Sequence, residues 1–197
     1  MKNNVKRIYI AKKDEFDHES KSLREEIKTS LGIDATYLKT YRRYDIDVSD
    51  ETLDKTMASV FYEAPVEDVY YEDYKNLEES FENPIGIQYQ AGQFDNREDG
   101  LVQTIALFTD EKVRAKVTEV YDIGGVNEGE LEKIKKFLIN PVDSQEVDVY
   151  AETILREDAK KNHENLVYDG FNDLDEEGLK KFVDEKSLAM SPEDLKV

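Results

Sequence analysis

The chain has 197 residues, enough for one large domain or two small ones around a real core. Its net charge of -19 and pI near 4.5 are spread along the chain, with -13 over residues 1–150 and -6 over 151–197, which excludes the basic stripe of a nucleic-acid binder and adsorption to an anionic membrane. With no cysteine there is no disulfide framework, thiolate metal site or cysteine nucleophile, and with no apolar run near about 20 residues and no signal-like start the expectation is a cytoplasmic protein.

Residues 5–11 carry Ile8, Tyr9 and Ile10 and read as a strand. Residues 17–31 place Leu23, Ile27 and Leu31 four apart, with Gly32 after them, which predicts a helix and its stop. Residues 37–48 alternate through Tyr44, Ile46 and Val48 as a second strand. Ser49 caps the next helix, Asp50 and Glu51 suit its N-terminal dipole, and Leu53, Met57, Val60 and Phe61 make its inner face. Pro65 ends it, and residues 66–71 close the unit as a short strand.

An acidic tether over 72–84 leads to a second passage through the same grammar. Ile85, Ile87 and Tyr89 alternate as a strand, and Asp95 opens a helix with Leu101, Ile105 and Phe108 on one side. Residues 113–123 form a β-rich run that Gly124 and Gly125 turn, and Asn127 with Glu130 make a capping box for a helix through Ile139, stopped by Pro141. The two passages match residue by residue. Phe16-Asp17, Leu23 and Ile27 recur 78 positions on as Phe94-Asp95, Leu101 and Ile105, and Tyr44-Asp45-Ile46 recurs after 77 as Tyr121-Asp122-Ile123. A near-constant offset is the mark of an internal repeat whose loops have changed length slightly.

The expected fold is therefore α+β: a domain over 1–150 of two ferredoxin-like β-α-β-α-β halves, 5–71 and 85–149, related by a pseudo-two-fold axis. A half with both helices on one sheet face leaves the other face open, and burial against the second half is the expected remedy. After Tyr150 the character changes. Residues 151–165 are mostly charged, residues 173–186 carry Leu174, Leu179, Phe182 and Val183 at helical spacing, and Ser191-Pro192-Glu193-Asp194 starts a further helix.

The chemistry-bearing motifs are few. Asp45, Asp47 and Ser49, and later Asp173, Asp175 and Glu177, imitate calcium-loop spacing, but Asp50 replaces the turn glycine of the first and Lys180 the apolar eighth position of the second. His18 and His163, the only histidines, have no partner at metal or triad spacing, and no nucleophile, base and oxyanion hole assemble, so no catalytic, cofactor or metal residue is assigned. Tyr70, Tyr71 and Tyr74 suit either an interface or packing of the tether. The segment Ala91-Gly92-Gln93-Phe94-Asp95-Asn96-Arg97-Glu98-Asp99 joins a strand to a helix N-terminus, with glycine for close backbone approach and polar groups converging on it. Gly92, Gln93, Asp95, Arg97 and Asp99 form the candidate docking or substrate-proximal loop.

Several stretches resemble one family: residues 5–13, Arg43-Tyr44-Asp45-Ile46, Gly92-Gln93-Phe94-Asp95 with Arg97 and Asp99, and residues 135–142. They are similar to the N-terminal region of phosphoribosylformylglycinamidine synthase in its large single-chain form, and the repeated unit resembles the small, dimer-forming PurS subunit of split synthases. The loop departs from the family pattern at Ala91, Asn96 and Gly100. Residues 151–197 resemble the start of the linker to the synthase domain. The resemblance implies a purine-biosynthesis ligase in which ATP, with magnesium, activates a formyl amide oxygen and ammonia from glutamine displaces phosphate. It implies that the nucleotide and glutaminase sites lie in other domains, the partners of this one. A stand-alone acidic interaction protein of the same duplicated fold is the alternative.

Overall fold

Alternation in the first strand sets the whole design: in β1 (Val5–Lys12), Ile8 and Ile10 point to one side and Tyr9 and Ala11 to the other, and all four are buried. The computed structural model describes residues 5–153, 155, 174–175 and 178–181, and the protein is a mixed α+β chain built on a six-stranded antiparallel sheet. After β1 come α1 (His18–Leu31), β2 (Tyr37–Asp47), α2 (Asp50–Thr56) and β3 (Glu67–Tyr70). A short α3 (Tyr74–Ser80) leads to β4 (Pro84–Tyr89), α4 (Asn96–Ala106), β5 (Arg114–Gly124), α5 (Glu128–Leu138) and β6 (Ser144–Val147). The strand order is β3-β1-β2-β5-β4-β6. Ile8 pairs with Tyr44 as Ile85 pairs with Tyr121, and Tyr9 pairs with Tyr70 as Gly86 pairs with Val147.

The caps anticipated at Ser49, Asp95 and Asn127 are in place, and Asp17 adds one at the start of α1. Asp17, Ser49 and Asp95 each accept amide hydrogen bonds at their helix starts, and Asn127 with Glu130 completes a reciprocal capping box. Gly32 ends α1 in the left-handed conformation at φ 70°, which glycine adopts without steric penalty. The helix from Ser49 is less regular than expected, because a π-turn over Met57–Phe61 follows α2 and delivers Phe61 edge-on to Tyr44, with ring centroids 5.6 Å apart.

On one sheet face, Leu53, Phe61, Leu101 and Ile105 cover Ile8, Ile10, Ile46 and Val117, while Ile27 and Ile134 cover Leu38, Ile85 and Ile123. Each fully buried isoleucine contributes about 1.5–3 kcal/mol. Phe108 does not join this face: α4 stops at Ala106, and Phe108 is 49% exposed.

The opposite face corrects the expected remedy for an open sheet. Residues 5–70 and 84–147 meet edge to edge through β2 and β5, and the face is covered by the segment read as a tether. There Tyr74 and Leu77 of α3, with Phe81, pack on Tyr9, Tyr41 and Val120. Tyr70 joins this second core and Tyr71 the first, so the tyrosine cluster packs on both faces of the sheet. Beside the second core sits a buried charged group, in which Arg7 Nε donates to Asp45 Oδ1 at 2.7 Å and Arg43 Nε lies 2.9 Å from Asp45 Oδ2, off the hydrogen-bonding direction. Asp45 is thus an ion-pair partner of two arginines.

Glu67, near the sheet edge, accepts from the Glu63 amide at 2.8 Å and pairs with Lys12 and Arg42 at 2.9 and 3.1 Å. Burial pushes its carboxyl up, but the Glu63 amide and the two cations outweigh it and hold it below the ordinary value of 4.5. A depressed folded-state value means the charged form stabilises the fold above about pH 4.5 and loses that contribution as pH falls through the lower folded value. Glu67→Gln is expected to flatten the acid limb of a stability–pH profile measured by urea unfolding; an unchanged limb would refute this.

The chain divides into two compact units, Met1–Leu155 and Arg156–Val197. In the second, residues 178–181 are helical, Leu179 is buried, and the Gly178 amide donates to Asp175 Oδ1 at 2.8 Å. The rest of the helix read over 173–186, the start at Ser191, His163, Asp173 and Glu177 lie outside the described residues. No helix among the described residues is long and apolar enough to cross a membrane.

Candidate functional site

The loop after β4 is held by the neighbouring turn rather than by its own helix alone. The Gln90 amide donates to Asp143 O at 2.8 Å, its side chain donates to Pro141 O at 2.6 Å, and the Gln93 amide closes a turn on Gln90 O at 3.0 Å. Gly92 sits at φ 95°, the left-handed region. A Cβ there would meet nothing within 4 Å, so within this chain the glycine serves the turn. Phe94 is 67% exposed at the tip.

Asp95 is the fixed point. It is buried, and its Oδ1 accepts the Arg97 and Glu98 amides at 2.9 and 3.1 Å. Those donors are the ones a helix start would offer an anion, and the cap consumes them. Asp99 instead faces along the helix, accepting from Gln103 at 2.6 Å.

The guanidinium of Arg97 crosses to β5 and pairs with Glu119, whose other oxygen accepts the Tyr121 hydroxyl at 2.8 Å. Burial opposes the charge of Arg97, but the Glu119 carboxylate outweighs it and holds its pKa above the usual value. Burial first, then the Glu119 charge and hydrogen bond, pushes the Tyr121 phenol well above its ordinary value, so it remains a neutral donor. These groups line a cleft of about 360 Å³ with Ile87, Tyr89, Leu138 and Asn140.

Of the residues singled out from sequence, Asp95 and Arg97 line this cleft, whereas Gly92, Gln93 and Asp99 do not. Glu119, Tyr121 and Asn140 were missed. The recurrence of Tyr44 as Tyr121 marked one of them as a repeat position, but only strand pairing places it opposite Arg97. The cleft carries more carboxylates than cations, with Asp95, Glu119 and Asp143 against Arg97. Its polar groups are paired with one another: Arg97 with Glu119, Tyr121 with Glu119, and Asn140 with Asp143. His18 lies exposed at the first position of α1. Among the described residues, no group of three histidine, cysteine, aspartate or glutamate side chains could hold a metal ion.

No family model matches the chain, and neither a curated protein nor a solved structure matches it.

Proposed function

We propose that the chain is a tandem-duplicated, ferredoxin-like PurS-type domain that serves as the N-terminal assembly module of cytoplasmic phosphoribosylformylglycinamidine synthase. The observation that carries the duplication is the register. Ile8–Tyr44 and Tyr9–Tyr70 become Ile85–Tyr121 and Gly86–Val147 by one displacement of 77 residues. Arg42 and Glu119, themselves 77 apart, pair directly across the central seam, as a pseudo-two-fold axis between them would require. The link to the synthase rests on the sequence resemblance. In this reading the domain docks the synthase and glutaminase parts, ATP and magnesium bind in those parts, and the loop with Gly92, Gln93, Asp95, Arg97 and Asp99 meets the synthase core.

The test is reconstitution. The purified chain with ATP, glutamine and formylglycinamide ribotide is expected to release no ADP above background, and added to synthase and glutaminase domains made without it, to restore turnover. No restoration would sink the assembly role. In the complete enzyme Arg97→Ala is expected to lower turnover or loosen domain association. The isolated chain should keep its stability within about 0.5 kcal/mol, as for a half-exposed ion pair. A destabilised fragment with normal turnover would make Arg97 a purely structural residue.

A further inference from the structure

On the sheet face away from α1, α2, α4 and α5, the chain leaving β6 does not depart into solvent. It passes close over Gly86, where a Cβ would stand 2.8 Å from Val147 O and 3.0 Å from Val149 Cγ2. Val149 is 3% exposed and belongs to the second core with Tyr9, Ala11, Tyr41 and Val120. Beyond it the segment meets three side chains of β1 and β2, two through its carbonyls and one through the Thr153 hydroxyl. Arg43 Nη1 donates to Val149 O at 2.6 Å, and Arg7 donates to Val149 O at 3.2 Å and to Ala151 O at 2.6 Å. The Thr153 hydroxyl donates to Asp45 Oδ2 at 2.8 Å.

We infer that Arg7, Arg43 and Asp45 form a built docking cradle for polypeptide main chain, whose occupant is the segment 149–153 of this same chain. The chemistry favours backbone over any particular side chain: two guanidinium groups fixed by one carboxylate offer charged donors, and peptide carbonyls are the acceptors they meet. Glu78 of α3 accepts from Arg7 at 2.8 Å and from the Tyr9 hydroxyl at 2.6 Å, which aims the first guanidinium. Each cradle residue is at least nine-tenths buried, so its polar atoms depend on the segment for partners that water would otherwise supply.

The cradle exists on one side only. At the positions displaced by 77, Pro84 stands for Arg7, Gly86 for Tyr9 and Val120 for Arg43. The side with small residues gives the segment room to cross, and the side with arginines holds it. The segment therefore begins on the β4–β6 side of the sheet and is fastened on the β1–β2 side. It straps the two together and fixes where the following chain emerges. This holds whatever the protein does, and it predicts a single exit where a symmetric pair of units would offer two.

Tyr150 provides the test, because it is 52% exposed and of the aromatic type chymotrypsin cleaves after, while its main chain lies between two held carbonyls. Cleavage after Tyr150 in the full chain then reports release of the strap. Arg43→Met removes a donor from below, and Gly86→Ala sets a methyl against Val147 O at the end of β6 and against Val149 Cγ2 in the segment. Both are expected to speed cleavage after Tyr150 at least tenfold, while cleavage within β1, β2 and β5, followed by mass spectrometry, stays at the wild-type rate. Should Arg43→Met fail to fold, Gly86→Ala carries the same readout. Wild-type cleavage after Tyr150 in a folded variant, or cleavage rising equally throughout the sheet, would overturn the cradle.

Discussion

Asp45→Ala is expected to destabilise the fold by about 3–5 kcal/mol, the range for removing one partner of a buried ion pair. Asp45 is 1% exposed and its loss leaves Arg7 and Arg43 charged in a space closed by α3 and the strap. Asp122 stands at the same register 77 residues on, and it is buried too. Its partners, however, are neutral: the Tyr37 hydroxyl at 2.7 Å and the Glu82 and Asn83 amides at 2.9 and 3.1 Å. Asp122→Ala should therefore cost about 1–3 kcal/mol, the desolvation of unpaired neutral donors. Urea unfolding of the two variants side by side measures the difference. Equal losses would mean that water reaches the arginines and that the buried charge of this face is not what sets its stability.

Ile105→Ala is expected to cost about 2–5 kcal/mol, because Ile105 is 0% exposed where α4 meets β5 and the emptied volume has little room to collapse. Phe108→Ala, three residues on, should cost under about 1 kcal/mol despite deleting a larger side chain, since that ring is half in water. Thermal or urea unfolding checks both, and a larger loss at Phe108 would place the helix end elsewhere than at Ala106.

Phe108 also shows where reading the sequence fell short. Helical spacing put it with Leu101 and Ile105, but spacing does not say where a helix stops, and nothing in Leu107-Phe108-Thr109 marks an end as Gly32 does for α1. Caps were legible because their chemistry is local: Ser49, Asp95 and Asn127 bond amides two or three residues away. The short α3 was not, because its apolar residues Tyr74 and Leu77, with Phe81 just after it, acquire a partner only on the far face of a sheet. At the candidate site the same divide holds. Asp95 was legible as a cap and Arg97 as a charged neighbour, whereas Glu119 and Tyr121 belong to a strand that only tertiary pairing brings opposite them.

The central ladder pairs Tyr37–Asp47 with Arg114–Gly124, and no other ladder among the described residues joins strands so far apart in sequence. Without each other, β2 and β5 would be bare edges of matching register, and a second chain offers the same pair. The connection through residues 72–83 decides the outcome, because it holds the chain's own β5 close enough to outcompete a neighbour's. Shortening that stretch until it can no longer span would turn the seam outward and make exchange of whole halves between chains the route to a closed sheet.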